Sequence, residues 1–172
     1  MWWKVGKITY LCNRILLIDV RMRFLGNIEA KTDAKGRAFL PAVFRKVLQA
    51  SGEDGLVLRK DVFQNCLVLY PESVWNERLD LLKSQLRPWK QAHQQIFRQF
   101  VSEAEVVTLD GNGRFLISKR LMKVAEIEQD LQFIGMDNTI EIWAPEKLKA
   151  TLKSEEEFGI EFENIMNVSD NL

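Results

Sequence analysis

A chain of 172 residues with 47% apolar composition can bury a core, as one domain or two very small ones, and is not a disordered segment. Its 24 basic and 24 acidic residues cancel, so affinity for a polyanion has to come from a local patch. The two cysteines, Cys12 and Cys66, sit in dissimilar contexts without ligand spacing, which reads as free or buried thiols in a reducing compartment and no metal site.

Residues 1–21 carry Leu11, Ile15, Leu16, Leu17 and Ile18, interrupted by Lys4, Lys7, Arg14 and Asp19. The run is too short and too charged to span a membrane. No small-residue cleavage site follows before Arg21 and Arg23, so it does not read as an export signal. The expectation is an extension outside the fold, with organised sequence starting at Met22.

Phe24, Gly26, Ile28 and Ala30 alternate as a strand does. Asp33-Ala34-Lys35-Gly36 then reads as the turn of a tight hairpin, because the carboxylate can accept nearby backbone N–H groups and glycine tolerates positive φ. Residues 37–40 resume as a short strand and Pro41 opens a helix, with Leu40, Val43, Phe44, Val47 and Leu48 on its apolar face. A strand pair is predicted at 56–60 and 66–70. Two helices follow, broken at Pro88. The first aligns Trp75, Leu79, Leu82 and Leu86, and the second carries Ala92, Ile96, Phe97 and Phe100.

The order then repeats. Asp110-Gly111-Asn112-Gly113-Arg114 restates Asp33-Ala34-Lys35-Gly36-Arg37 at an offset of 77 residues, a domain-scale unit rather than a solenoid repeat. A strand at 105–109 precedes it and one at 114–117 follows. Ser118 is the expected N-cap of a helix over 119–124. A strand pair at 131–134 and 139–143 and a helix from Pro145 to about 156 complete the second unit. The division is therefore 1–21 extension, 22–72 first repeat, 73–103 helical connector, 104–150 second repeat and 151–172 acidic tail. That tail holds six acidic residues against Lys153 and reads as solvated or frayed.

Catalysis finds little support. His93 is the only histidine, and neither a nucleophile–base spacing nor a phosphate loop occurs, so no catalytic residue, metal or cofactor is expected. Asp33 and Asp110 could form a carboxylate pair across a pseudo-twofold, but their context favours turn formation.

The charges around the two turns carry more information. Lys31, Lys35, Arg37, Arg45 and Lys46 against Asp33 leave residues 31–46 at plus four. Arg114, Lys119, Arg120 and Lys123 against Asp110 leave residues 110–123 at plus three. Two cationic segments at equivalent positions of a neutral chain point to an anionic partner contacted twice, and a phosphate backbone suits them. Arginine adds a fork that grips phosphate or guanine. Arg37 and Arg114 can face such a partner, brace their turns against Asp33 and Asp110, or do both. Trp75, Trp89, Phe97, Phe100 and Trp143 are either core or an oligomerisation surface.

Thr32-Asp33-Ala34-Lys35-Gly36-Arg37, Leu40-Pro41-Ala42, Phe44-Arg45 and Cys66-Leu67-Val68-Leu69-Tyr70-Pro71 with Trp75 form one set of matching residues. Leu109-Asp110, Gly113-Arg114 and Ile140-Glu141-Ile142-Trp143 form the second. Together, over about residues 22–150, the sequence resembles the bacterial MraZ family, tandem relatives of the AbrB-type DNA-binding domain. The resemblance implies an α+β fold: two AbrB-like halves, of swapped-hairpin or double-split β-barrel type, making one compact β-barrel core with flanking helices. It implies a non-enzymatic regulator of transcription, a repressor at the promoter of the division and cell-wall gene cluster. Such a protein binds direct repeats in double-stranded DNA as a ring-like homo-oligomer, in the cytoplasm at the nucleoid, without a membrane partner.

Carried onto this chain, Arg37 and Arg114 become the DNA-facing residues. Lys31, Lys35, Arg45, Lys119, Arg120 and Lys123 support them, and Asp33, Gly36, Asp110 and Gly113 orient the motifs. The second copy departs from the pattern with Ser118 in place of the Pro41 equivalent and with the less basic Gly111-Asn112, so the first copy is expected to grip harder. The alternative is a protein-interaction or scaffold module, in the manner of related antitoxins.

Overall fold

The computed structural model describes residues 23–169; the expected extension over 1–21 lies outside the described residues. The elements are β1 (Asn27–Lys31), β2 (Arg37–Phe39), α1 (Ala42–Ser51), β3 (Leu56–Lys60), β4 (Leu67–Pro71), α2 (Glu72–Gln85) and α3 (Gln91–Ser102). They continue as β5 (Glu105–Val107), β6 (Arg114–Leu116), α4 (Lys119–Val124), β7 (Asp130–Met136), β8 (Thr139–Trp143), α5 (Pro145–Thr151) and α6 (Glu155–Ser169). Among the described residues no helix is long and apolar enough to cross a membrane.

Local chemistry sets most boundaries. Pro41 and Pro71 stand at the caps of α1 and α2, and Pro145 occupies the first turn of α5, where a fixed φ and a missing N–H cost a helix nothing. Ser118 accepts the Leu121 N–H and caps α4 as expected. The last predicted helix is two helices rather than one. Leu152 is extended, and Ser154 with Glu157 forms a reciprocal capping box: the Ser154 N–H donates to the Glu157 carboxylate and the Glu157 N–H to the Ser154 hydroxyl. The box restarts the chain as α6, so the acidic tail is helical over Glu155–Ser169, with residues 155–167 exposed.

Six strands form one antiparallel sheet in the order β1-β7-β8-β4-β3-β5, and β2 and β6 form a separate two-stranded ladder. This order is symmetric under exchange of the two repeats. β4 pairs with its equivalent β8 at the centre, placing Leu69 opposite Ile140. β1 pairs with β7 and β5 with β3, so each repeat lends its first strand to the other. The strands flanking the first turn therefore do not make the expected hairpin. They share a single bridge, Thr32–Ala38, while β2 runs instead against β6. Lying against each other, these three-residue strands satisfy their backbone groups and bury Ala38 and Phe115 together.

The main core lies on one side of the sheet, where Leu58, Leu69, Phe133 and Ile140 meet Phe24, Leu40, Phe44, Phe115, Ile117 and Leu121. Full burial of each such side chain contributes about 1.5–3 kcal/mol relative to exposure. On the opposite side Cys66, Val68, Trp143 and Leu148 make a smaller cluster under α5. Burial, followed by the nearby Glu141 and Asp61 carboxylates, pushes the Cys66 thiol pKa upward, so it stays protonated and packs as an apolar group.

The α2–α3 hairpin is fastened to this same side by aromatic contacts and a buried cation. Trp75 stacks on Phe100 at 5.3 Å and meets Tyr70 at 5.5 Å. The Arg59 guanidinium lies 4.2 Å from the Phe100 centroid, and Nη2 reaches Glu103 at 3.4 Å. Of the aromatics singled out in the sequence, Trp75, Phe100 and Trp143 thus serve internal packing, whereas Trp89 is 95% exposed.

Candidate nucleic-acid interface

Each Asp-x-x-Gly-Arg turn closes on itself through its aspartate. In the first, Asp33 Oδ1 accepts the backbone N–H groups of Lys35 at 2.9 Å and Arg37 at 3.0 Å. Oδ2 accepts Arg37 Nε at 2.7 Å, with Nη2 also at 2.7 Å. In the second, Asp110 accepts from Asn112 at 2.9 Å, from Arg114 at 2.9 Å, and from Arg114 Nε at 2.8 Å. Two neutral bonds and a charged one on a single carboxylate favour its ionised form. The Arg37 N–H, then its side chain, holds the Asp33 pKa down from 3.8 to about 2, and the Arg114 N–H leads the same downward shift for Asp110.

The glycines complete the turns. Gly36 has φ +80° and Gly113 φ +79°, the left-handed region that side chains avoid. Their N–H groups bond back to the Asp33 and Asp110 carbonyls, at 2.9 and 2.8 Å.

The β2–β6 ladder brings the two turns together, with Ala38 opposite Phe115 and each arginine opposite an apolar residue of the other copy. Reciprocal bonds extend it, Leu40 N–H to Gly113 O at 3.0 Å and Ile117 N–H to Gly36 O at 2.9 Å. Arg37 and Arg114 therefore stand on one short ribbon, both partly exposed, and each aspartate aims its arginine while leaving other guanidinium N–H groups free to donate. Bracing and presentation are compatible in this geometry. The copies differ in what lies beside the fork: Arg114 sits 5.6 Å from the Phe39 ring centroid, whereas Arg37 is opposite the aliphatic Leu116.

The supporting cations are redistributed by the fold. Arg45 follows the first turn in sequence but reaches the second, where Nη1 approaches the Asn112 carbonyl at 3.5 Å and the side chain covers Gly113. Lys119 and Lys123 follow the second turn but flank the first, lining a recess of about 570 Å³ with Asp33, Lys35 and Gly36. Lys31 is engaged by Asp130 at 2.9 Å. Arg120 is held by Glu105 at 2.7 Å and by the Glu103 carbonyl at 3.1 Å. Among the described residues Lys35, Lys119 and Lys123 around the first turn, and Arg45 at the second, therefore form no ion pair, although Glu128 lines the same recess as the three lysines.

A cross-repeat exchange of this kind cannot be seen in charge counts. The offset of 77 does pair Arg45 with Met122 and Phe39 with Leu116 in equivalent positions, and that inequality was the available signal that the two turns are flanked differently. Arg59 carries no sequence signal, because a single arginine within an apolar strand makes no motif.

Comparison with known proteins decides the family. The model described as "MraZ protein, putative antitoxin-like" matches residues 23–96 and 100–164. The chain belongs to the MraZ family. It is 61% identical over 151 residues to the transcriptional regulator MraZ of Phocaeicola vulgatus, covering 88% of this chain and 98% of that protein. The transcriptional regulators MraZ of Bacteroides thetaiotaomicron and Bacteroides fragilis are 60% and 58% identical, over 85% and 84% of this chain and 94% and 92% of their own lengths. The family model thus takes in both turns of the site and reaches into α6.

Proposed function

We propose that this chain is a regulator of transcription, a repressor, that binds double-stranded promoter DNA through the ribbon carrying Arg37 and Arg114. The observation that supports it most is the pair of aspartate-oriented arginines on antiparallel strands, related by the internal pseudo-twofold. Such an arrangement offers two forks to guanine edges or phosphates, with Lys35, Lys119 and Lys123 set to meet phosphate beside the first. The names of the relatives support the regulatory role. Direct repeats as the target, the division and cell-wall cluster promoter, ring assembly, a β-barrel of swapped-hairpin type and a nucleoid location in the cytoplasm follow from the family resemblance. In this reading the protein is not an enzyme, since each aspartate is occupied by its own turn.

A salt titration of binding to the protein's own upstream promoter DNA tests the proposal. Steep loss of affinity with salt and a loss of roughly tenfold or more in Arg37→Ala are expected. Unchanged affinity in both Arg37→Ala and Arg114→Ala would overturn the site assignment. A protein-interaction module is the second reading, favoured by the exposed Phe39 and Leu116 on the same ribbon. It predicts weak DNA binding without sequence preference.

A further inference from the structure

The last helix leaves an apolar stripe uncovered. Phe158, Phe162 and Met166 recur every four residues along α6, each more than half exposed, and the two rings stack at 5.9 Å. The charged residues of α6 are all acidic: Glu155, Glu156, Glu157, Glu161 and Glu163. Two already have local work, since Glu157 is in the capping box and Glu161 pairs with Lys153.

The α2–α3 hairpin carries the complement. A groove of about 630 Å³ is lined by apolar Leu86, Phe97 and Val101 and by the cations Arg87 and Arg98, with Lys83 at its edge paired to Asp80 at 3.5 Å. The helix that forms one wall is comparable in length to α6: the 12 residues of α3 extend about 18 Å and the 15 residues of α6 about 22 Å.

We propose that α6 of one copy docks in the α2–α3 groove of a second copy. The aromatic stripe meets the apolar lining, and the glutamates meet the cations around it. Both halves of the contact are carried by one chain with opposite charge, which favours a second copy as the occupant. Because donor and acceptor are different surfaces, the contact is heterologous: a copy that has given its helix still offers its groove. Repetition then closes into a ring wherever the rotation between neighbours permits. The inference rests on the homo-oligomer of the proposed function and supplies its joint.

The test is sedimentation of the full chain without DNA. The parent is expected to form an oligomer, whereas Phe158→Glu/Phe162→Glu and Arg87→Glu/Arg98→Glu each run as single chains. These residues are exposed, so the variants are expected to fold, with circular dichroism as the check. An equal mixture of the two variants is expected to form a two-chain complex, since one retains the helix and the other the groove. An oligomer insensitive to both variants, or a mixture that fails to pair, overturns the contact while leaving the oligomer standing. A monomeric parent overturns both. Arg37→Ala is expected to leave the mass unchanged, which separates assembly from DNA binding.

Discussion

Arg45 lies over Gly113 so closely that a methyl group on that glycine would sit 2.3 Å from Nη1. The reciprocal position is filled differently: a methyl on Gly36 would meet the Ile117 carbonyl oxygen at 2.9 Å and Met122 Sδ at 3.4 Å. Both glycines are left-handed, so alanine at each carries a backbone strain of roughly 1–2 kcal/mol. The arginine can swing away, whereas the carbonyl is main chain of Ile117, whose N–H is bonded to the Gly36 carbonyl, and has little room to move. Gly36→Ala is therefore expected to destabilise the protein more than Gly113→Ala in urea denaturation. The reverse order would mean that Arg45 is fixed in place.

The acid behaviour of Asp33 separates backbone from side-chain stabilisation. Its folded pKa is depressed, so its contribution to stability is present above the usual 3.8 and is lost as pH falls through about 2. The Arg37 backbone N–H is the leading cause and survives substitution. Carboxyl titration by NMR in Arg37→Ala is thus expected to show only a partial return toward 3.8. A full return would assign the shift to the guanidinium instead.

Charge compensation sorts the lysines and arginines. Removing Lys119 or Lys123 is expected to lower the salt slope of DNA binding by about 1 each, with operator preference intact. Lys31→Ala and Arg120→Ala are expected to change the slope less, because Asp130 and Glu105 already balance those charges. Equal slopes across all four variants would remove the distinction.

The buried guanidinium of Arg59 fastens the helical hairpin to the sheet. It is 3% exposed, and its partner Glu103 keeps access to water. Arg59→Ala is expected to cost about 2–3 kcal/mol through lost packing and the cation–π contact, and Arg59→Met less than that. Urea denaturation with an unchanged m-value measures it. A loss under roughly 0.5 kcal/mol would place Arg59 among ordinary surface residues.

What the sequence determined by itself was local. The aspartate-to-backbone bonds, the positive φ of Gly36 and Gly113, the proline starts and the Ser118 cap all act within about four residues, so motif and spacing suffice to read them. The repeat and the family resemblance were legible for the same reason. Tertiary structure decided which repeat each cation serves. The ladder from Arg37–Leu116 to Phe39–Arg114 carries Arg45 to the second turn and Lys119 and Lys123 to the first, over separations that no local pattern encodes. It also decided which charges are paired, since Lys31 finds Asp130 only after β1 crosses to β7. Side chains far apart in the chain become neighbours through strand pairing between the repeats, and that pairing is a property of the whole core.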